Sequence, residues 1–490
     1  MKKMNTKRIR PLTAGYALLS AGCFSFITSS SDAQADARQQ RPNILLIVSD
    51  DHGYGDWGDA LKDASMPNLD RLAASGIHFT QGYVSAPICS ASRLGLLTGC
   101  YQQRLGNFWY GDGGMATDEF VSMPEILREA GYATAMIGKV HLPGVQHARN
   151  FPLHHGFDYF YGFEGAAKHY LQHNAAAHES FQEKLLKYHP EKKGYPIVFN
   201  QPMQVNDSRK DQEGFSTELF GEQARKFMAQ ADEKPFFVQL SFNAVHDQTY
   251  QLPPEYLKER GIKPIADWDP AMQDPNTFND KALLPDCAEA RDYLLGQLNF
   301  LDIEIGRILD FLDERGLRRN TLVVYVSDNG GSLANGSFNT PLAGGKFTLF
   351  EGGIRVPFII SQPGTVQQGM VCSNLVTSLD LLPTFASTAG VAAPELCDGL
   401  DLTPLLTGTD LSVGHQTLFW DVGQQFAVRA GDWKLRFSET TGRSRSPAGL
   451  GFQLTNLQDD PGEKQNRIEE EPEKAAELMK LYRHWRAGLE

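Results

Sequence analysis

Two short apolar runs constrain the fold of this chain more than any other feature. Asn43 to Val48 reads Asn-Ile-Leu-Leu-Ile-Val and closes on Ser49-Asp50-Asp51 and a glycine-rich turn; Thr321 to Val326 reads Thr-Leu-Val-Val-Tyr-Val and closes on Ser327-Asp328-Asn329-Gly330-Gly331. Runs that are apolar on both faces suit central strands of a covered sheet. Both acidic pairs then fall just past the carboxyl end of a buried strand, where open α/β sheets place their ligands. One such site is explained by turn chemistry, because Asp and Asn favour strand ends and helix caps. Two matching sites point instead to a shared cation. Asp50, Asp51, Asp328 and Asn329 offer three carboxylates and an amide with no His-Cys set beside them, a donor set for a hard ion such as calcium or magnesium.

Between the two runs helical and strand patterns alternate. Met66 to Gly76 and Ser122 to Ala130 read as short helices, Phe215 to Ala231 as a longer one, and Pro235 to Phe242 as a buried strand. Leu298, Leu301, Ile305, Ile308, Leu309 and Leu312 line one face of an amphipathic helix that ends at Gly316. This alternation predicts an α/β sandwich. The stretch from His147 to Asp211 is less regular; its histidines lack metal-motif spacing and are expected to be solvated or hydrogen-bonded, with one or two lining a polar pocket. From about Leu405 the pattern changes to short strands, Gln425 to Ala430 and Trp433 to Phe437, then a charged helix from Glu471, which predicts a smaller α+β subdomain.

The first 35 residues have the pattern of a secretory signal peptide. Lys2, Lys3, Lys7, Arg8 and Arg10 form a basic head, Leu12 to Thr28 is largely apolar, and Ala33-Gln34-Ala35 offers a cleavage site after Ala35; lipoprotein processing at Cys23 is the alternative. Export places the protein in the periplasm or outside the cell. Removing five positive charges and one negative takes the net charge from -13 to -17. That balance excludes nucleic acid as a main partner, since such binding needs a basic footprint, and no later segment has the unbroken apolar length of a membrane span. Five cysteines remain: Cys89, Cys100, Cys287, Cys372 and Cys397. An odd count leaves at least one outside any internal disulfide, and Cys372 with Cys397 is the pair expected to bridge first.

Cys89 lies in the turn-rich segment Ser85 to Gly99, four residues before Arg93. Alone it could be a nucleophile, a disulfide half or a buried apolar residue, and the two structural readings are favoured because a free cysteine is among the most buried residue types. Three other motifs follow strand-like runs. Thr134 to His141 places Lys139 and His141 on the same side of an extended backbone, Ser241 to His246 puts a histidine beyond a strand, and Lys346 lies among glycines in Pro341 to Pro357. Together they supply cations, imidazoles, a metal site and a cysteine, the groups needed to bind and cleave a small tetrahedral anion.

With these blocks in hand, the chain resembles the formylglycine-dependent sulfatases of the alkaline-phosphatase superfamily. Cys89-Ser-Ala-Ser-Arg93 followed by Leu-Gly-Leu-Leu-Thr-Gly99 is similar to their signature. Asp50-Asp51, Gly138-Lys139-Val-His141, His246, Ser327 to Gly330, Lys346 to Pro357, Asp380 to Thr384 and Asp459 to Glu463 follow in family order. The resemblance implies an α/β fold of alkaline-phosphatase type, a mixed sheet sandwiched by helices, with a catalytic domain over 36–404 and an α+β subdomain over 405–490. It implies that a formylglycine-generating enzyme oxidises Cys89, and that the hydrated aldehyde attacks sulfur and later expels sulfate through its second hydroxyl. Asp50, Asp51, Asp328 and Asn329 would hold one calcium ion together with residue 89. Arg93 and Lys139 would stabilise the hydrated aldehyde, Lys346 would contact sulfate, His246 would serve as general acid and His141 as base.

Several positions depart from the family pattern. Ala91 stands for the commoner proline, Val140 and Pro143 for an aromatic residue and a glycine, Val245 and Asp247 flank the histidine in place of proline, and Ala343 replaces a frequent arginine. The expected substrate is a sulfated saccharide, with Trp109, Tyr110 and the segment His154 to Tyr170 as candidate surroundings. Rival readings are a phosphodiester or phosphonate monoester hydrolase of the same superfamily and a non-catalytic sugar-binding relative.

Overall fold

A computed structural model of the chain describes residues 41–489 apart from 59–60, 62, 64, 112–113, 115–119, 143–151, 167–168, 191–201, 232–233, 272–286, 288 and 440–449. The expected leader, Pro143 and His147 lie outside the described residues. Ten strands build one mixed sheet: β1 (Asn43–Ser49), β2 (Ile77–Phe79), β3 (Ala133–Lys139), β4 (Tyr159–Phe163), β5 (Met203–Val205), β6 (Ser208–Lys210), β7 (Phe236–Ser241), β8 (Thr321–Ser327), β9 (Phe358–Ser361) and β10 (Met370–Cys372). Their spatial order is β10-β2-β9-β8-β1-β7-β3-β4-β5-β6. The two apolar runs are therefore neighbours at the centre, β1 lying parallel to both β7 and β8.

The sheet is covered on both faces, which is why these runs carry no polar side. Ile44, Leu46 and Val48 pack into one core, Leu45 and Ile47 into the other, and all five are fully buried. Each such side chain contributes about 1.5–3 kcal/mol. One face is covered by α1 (Pro67–Ala74), whose Leu69 and Leu72 share a core with α4 and α5 below; the other by α2 (Cys89–Thr98) and α3 (Met123–Glu129). α4 (Ser216–Gln230) and the long α5 (Ala290–Glu314) complete the first face, with all six apolar positions expected for α5 buried. α3 starts in a capping box, Ser122 Oγ accepting from Glu125 N and Glu125 Oε2 accepting from Ser122 N at 2.7 Å. α6 (Glu351–Ile354) is a single turn, and α7 (Leu381–Thr388) covers the second face beside α2. Among the described residues no helix is long and apolar enough to cross a membrane.

Leu402, Leu405 and Leu406 still pack into the core of the main sheet. The antiparallel C-terminal sheet follows as β11 (Thr417–Asp421), β12 (Gln425–Ala430), β13 (Trp433–Ser438) and β14 (Gly451–Asn456), paired in that order, with α8 (Pro472–Ala487) against it. This is the expected arrangement of a mixed sheet sandwiched by helices with a small C-terminal antiparallel sheet.

The expected bridge between Cys372 and Cys397 is not formed: both thiols are free. Cys372 ends β10, where its carbonyl accepts from Thr80 N, whereas Cys397 packs at the end of α2 with its thiol 3.4 Å from the Gly99 carbonyl. Nearness in sequence did not bring them together because β10 and α2 belong to different parts of the fold. Of the histidines between 147 and 211, His178 is buried with its Nδ1 2.5 Å from Asp211, and His189 faces the Pro270 carbonyl at 3.0 Å, as expected of satisfied side chains.

Gly138 meets a hard steric limit. Its φ is +104°, and a Cβ there would stand 1.9 Å from the Ser241 carbonyl oxygen on β7. Gly138→Ala is expected to lose about 3 kcal/mol or more of unfolding free energy. Urea denaturation of the variant checks this.

Candidate active site

The carboxyl edge of the central strands gathers the chemistry. Ser49 pairs with Ser327 and Val48 with Ser241, so β1, β7 and β8 end level. Asp328 N donates to the Ser49 carbonyl at 3.0 Å and Asp51 N to Asp328 Oδ1 at 3.2 Å, which sets the two acidic turns side by side. Asn329 Nδ2 donates to Asp51 Oδ1 at 2.7 Å. Cys89 opens α2, a helix with all ten residues buried, no side-chain N-cap and a left-handed Gly99 at its end. Its N-terminus therefore faces the site, and the positive end of a helix is an electrostatic setting that favours negative charge.

Cys89 Sγ lies 3.5 Å from Asp50 Oδ1 and 4.0 Å from Asp51 Oδ1. Asp50, Asp51, Cys89 and His246 bring one donor atom each within 4.8 Å of one another, a cluster able to hold a metal ion. His246 Nε2 is 3.8 Å from Asp51 Oδ2, a neighbour that the reading of strand ends alone did not contain. Asp328 stands at the rim of this cluster, occupied by Arg93, whose Nε and Nη2 each lie 2.8 Å from Asp328 Oδ2. Arg93 Nη1 also donates to the Lys139 carbonyl at 3.0 Å, and Nη2 approaches Asp50 Oδ2 at 3.7 Å. Lys139 Nζ pairs with Asp50, and Lys346 Nζ lies 2.7 Å from Asp51 Oδ2.

The positions named from sequence thus converge, with one difference in how they do so. Lys139 and His141 are not in one extended segment, because His141 adopts φ +49° after the strand ends at Lys139. Its ring is nevertheless held within the field of Lys139, Arg93, Asp50 and His246, and it stacks on Tyr110 with centroids 6.0 Å apart. Asp51 and Phe347 also have left-handed backbones, at φ 61° and 73°. Asp and His tolerate this sparsely populated region, whereas the bulky Phe347 beside Lys346 is strain held in place by the surrounding structure. Asp247 is a further residue of the site: its carboxylate accepts from Asn335 Nδ2 at 3.0 Å and lies 3.9 Å from His246 Nδ1. The replacement of a flanking proline at this position was its only signal in the sequence.

Next to Cys89 three carboxylates, Asp50, Asp51 and Asp328, stand against Arg93, Lys139 and Lys346, and Asp247 adds a fourth carboxylate beside His246. Burial would raise the Asp50 carboxyl, but Lys139, His246, Arg93 and Lys346 hold it well below the usual range. Burial pushes Asp51 up to about 7, with Lys346 opposing and Asp50 and Asp328 adding to the rise. Burial also raises the Cys89 thiol and lowers both His141 and His246, disfavouring the charged form of each ring. A divalent cation fits this surrounding. Hard oxygen donors face one another, one of them is costly to ionise, and Asn329 Oδ1 is buried without a hydrogen-bond partner among the described residues.

Residues 42–391 match the family model described as Sulfatase, and residues 345–484 match the model of the N-sulphoglucosamine sulphohydrolase C-terminal region, so that Lys346 falls within both. The chain is 32% identical over 476 residues to arylsulfatase A of Bos taurus, covering 89% of this chain and 85% of that protein. It is 31% identical over 441 residues to N-acetylgalactosamine-6-sulfatase of Canis lupus familiaris, covering 84% and 74%. Among solved structures it is similar to Ps i-CgsB in complex with k-i-k-neocarrahexaose, with TM-score 0.73, 28% identity and coverage of 91% of this chain and 93% of the other.

Proposed function

Because this chain belongs to the sulfatase family, whose reaction is the hydrolysis of sulfate esters, we propose that its substrate is a sulfated saccharide and its nucleophile residue 89 after conversion to formylglycine. The observation that carries this reading is the position of Cys89 at the start of α2, 3.5 Å from Asp50 and ringed by Arg93, Lys139 and Lys346. A sugar as the esterified alcohol is supported by the names of two similar proteins, an N-acetylgalactosamine-6-sulfatase and a sugar-bound Ps i-CgsB. Trp109 and Tyr110, with ring centroids 5.8 Å apart beside His141, offer the aromatic surface a saccharide ring needs.

Asp50, Asp51, residue 89, Asp328 and Asn329 would hold calcium. Bound there, the ion supplies positive charge and Lewis acidity to the oxygen of residue 89 that attacks sulfur. Arg93, Lys139 and Lys346 do not outnumber the carboxylates of the site, so the anion's charge calls for this addition. Arg93 and Lys139 steady residue 89, and Lys346 contacts the sulfate. His141, whose charged form burial disfavours, accepts a proton from the second hydroxyl in the second step; His246 takes up a proton from water, its imidazolium favoured by the carboxylates of Asp247 and Asp51 at 3.9 Å and 3.8 Å, and passes it to the oxygen of the leaving alcohol. Residues 1–35 direct export, 36–404 form the catalytic domain and 405–490 the subdomain in this reading, and a formylglycine-generating enzyme is the maturation partner.

Released sulfate from a panel of sulfated oligosaccharides tests the proposal, with an aryl sulfate and an aryl phosphodiester compared on the same preparation. Preference for the phosphodiester would replace it with the phosphoester reading. Mass spectrometry of the peptide containing residue 89, from protein made in its native host, is expected to find formylglycine. A persistent unmodified cysteine there would leave a sugar-binding protein without a nucleophile.

A further inference from the structure

Three sequence blocks take no part in the chemistry above: Glu351-Gly-Gly353, Trp433-Lys434 and Asp459 to Glu463. They meet in one buried cluster. Lys434 Nζ lies 2.9 Å from Glu351 Oε1 and 3.1 Å from Glu463 Oε1, with all three side chains at most 1% exposed. Glu463 Oε2 accepts from Glu351 N at 2.6 Å, and Tyr83 OH donates to Glu351 Oε2 at 2.5 Å. Arg355 and Arg429 complete the ring, 3.5 Å and 3.7 Å from Glu351 Oε2. Buried ion pairs are weak sources of stability, because the cost of removing each charge from water offsets most of their attraction. Stability alone therefore does not account for five charged groups in this place.

What the cluster does is fix two segments that end at the active site. Glu351 opens α6, the turn immediately after the loop that carries Lys346. Inside that loop Phe347 N donates to the Pro87 carbonyl at 2.9 Å, and the Phe347 carbonyl accepts from Gln425 Nε2 at 3.0 Å. Phe347 is the residue held at φ 73°, so its peptide is gripped on both sides in a conformation it would otherwise leave. Leu349 N donates to Gln425 Oε1 at 3.4 Å. Tyr83 lies at the other end of the cluster, at the head of the segment running into Cys89, and there Trp420 Nε1 donates to the Val84 carbonyl at 2.7 Å. The C-terminal sheet thus ties down the chain on either side of the proposed nucleophile and of the proposed sulfate contact.

We infer that Gln425 and Lys434 of the C-terminal sheet are positioning residues for sulfate ester hydrolysis, acting through Phe347 and Glu351 to hold Lys346 where it meets the sulfate group. The inference rests on the reading that Lys346 contacts sulfate. Lys346 Nζ already sits 2.7 Å from Asp51, and a loop free to relax would carry this ammonium away from the position an anion needs.

The test uses the full chain with an aryl sulfate as substrate and inorganic sulfate as competing inhibitor. Gln425→Ala removes both ties to the loop while leaving every buried charge paired. It is expected to fold, with a Tm within a few degrees of the parent. Because misplacement of a binding group by about 1 Å costs up to about 100-fold, kcat/KM is expected to fall about 10- to 100-fold and the Ki of inorganic sulfate to rise with KM. The double variant Lys434→Met with Glu463→Gln removes one cation and one anion together, and should shift the same constants in the same direction. Lys346→Ala is the reference. If it weakens sulfate inhibition while a folded Gln425→Ala retains the parental Ki and KM, the positioning role is overturned and the assignment of Lys346 stands. If Lys346→Ala itself leaves sulfate inhibition unchanged, the assignment of Lys346 falls and this inference falls with it.

Discussion

Cys89→Ala is expected to abolish turnover of sulfate esters while leaving the protein folded. The side chain is wholly buried at the first position of α2, where alanine is a good helix former and removes only one sulfur atom. The loss of stability should therefore be small, on the order of 1 kcal/mol. Lys346, the proposed sulfate contact, and Arg93 and Lys139 beside residue 89 all remain in place, so inorganic sulfate and intact substrate should still bind. Loss of a nucleophile with its surroundings intact costs about 10⁴-fold or more in kcat. Assay of released sulfate beside thermal unfolding separates the two effects. Turnover retained by the alanine variant would remove residue 89 from the reaction.

Arg93→Ala is expected to have the largest effect on stability of any single change at the site, and to stop turnover as well. Arg93 is 2% exposed and its partner Asp328 is 1% exposed, so its removal strands the Asp328 carboxylate away from water and leaves Asp50 with Lys139 as its close cation. Breaking a buried pair of this kind costs about 3–5 kcal/mol. Arg93→Lys should rescue little. The guanidinium uses Nε and Nη2 on Asp328 and Nη1 on the Lys139 carbonyl, and a single ammonium cannot reproduce that fork. Urea unfolding monitored by tryptophan fluorescence, set against Lys346→Ala, checks the ranking: the lysine variant should lose activity with less loss of stability, because Lys346 lies on a loop rather than inside a helix packed on all sides.

The parts of this architecture that sequence revealed are those where neighbouring residues share one cause. Ile44 to Val48 had to be a doubly covered strand because both faces are apolar, and Asp50 and Asp51 then had to lie at its carboxyl end. The same logic applied to Val326 and Asp328 brought the two turns together, since parallel central strands end level. What sequence did not reveal depends on contacts between distant residues or on single dihedral angles. The direction of His141 was set by one left-handed backbone conformation rather than by strand alternation. Cys397 found Gly99 instead of Cys372 because the end of α2, not β10, is its neighbour in space. The approach of His246 to Asp51, and the meeting of Glu351 with Lys434 and Glu463, join segments that no local pattern connects.

The pairing of β1 with β7 and β8 also imposes a schedule. The floor beneath Cys89 is complete only when strands ending at Ser241 and Ser327 have joined a strand that begins at Asn43, so most of the chain must exist before the site can close. Contacts so far apart in sequence form slowly. In the finished protein the thiol has no exposed surface. An enzyme that converts Cys89 must therefore reach it earlier, while the segment from Ser85 to Gly99 is still an accessible stretch of peptide. If residue 89 is converted as proposed, the long-range pairing of the central strands leaves an interval for it, and the order of folding would be part of how the nucleophile is made.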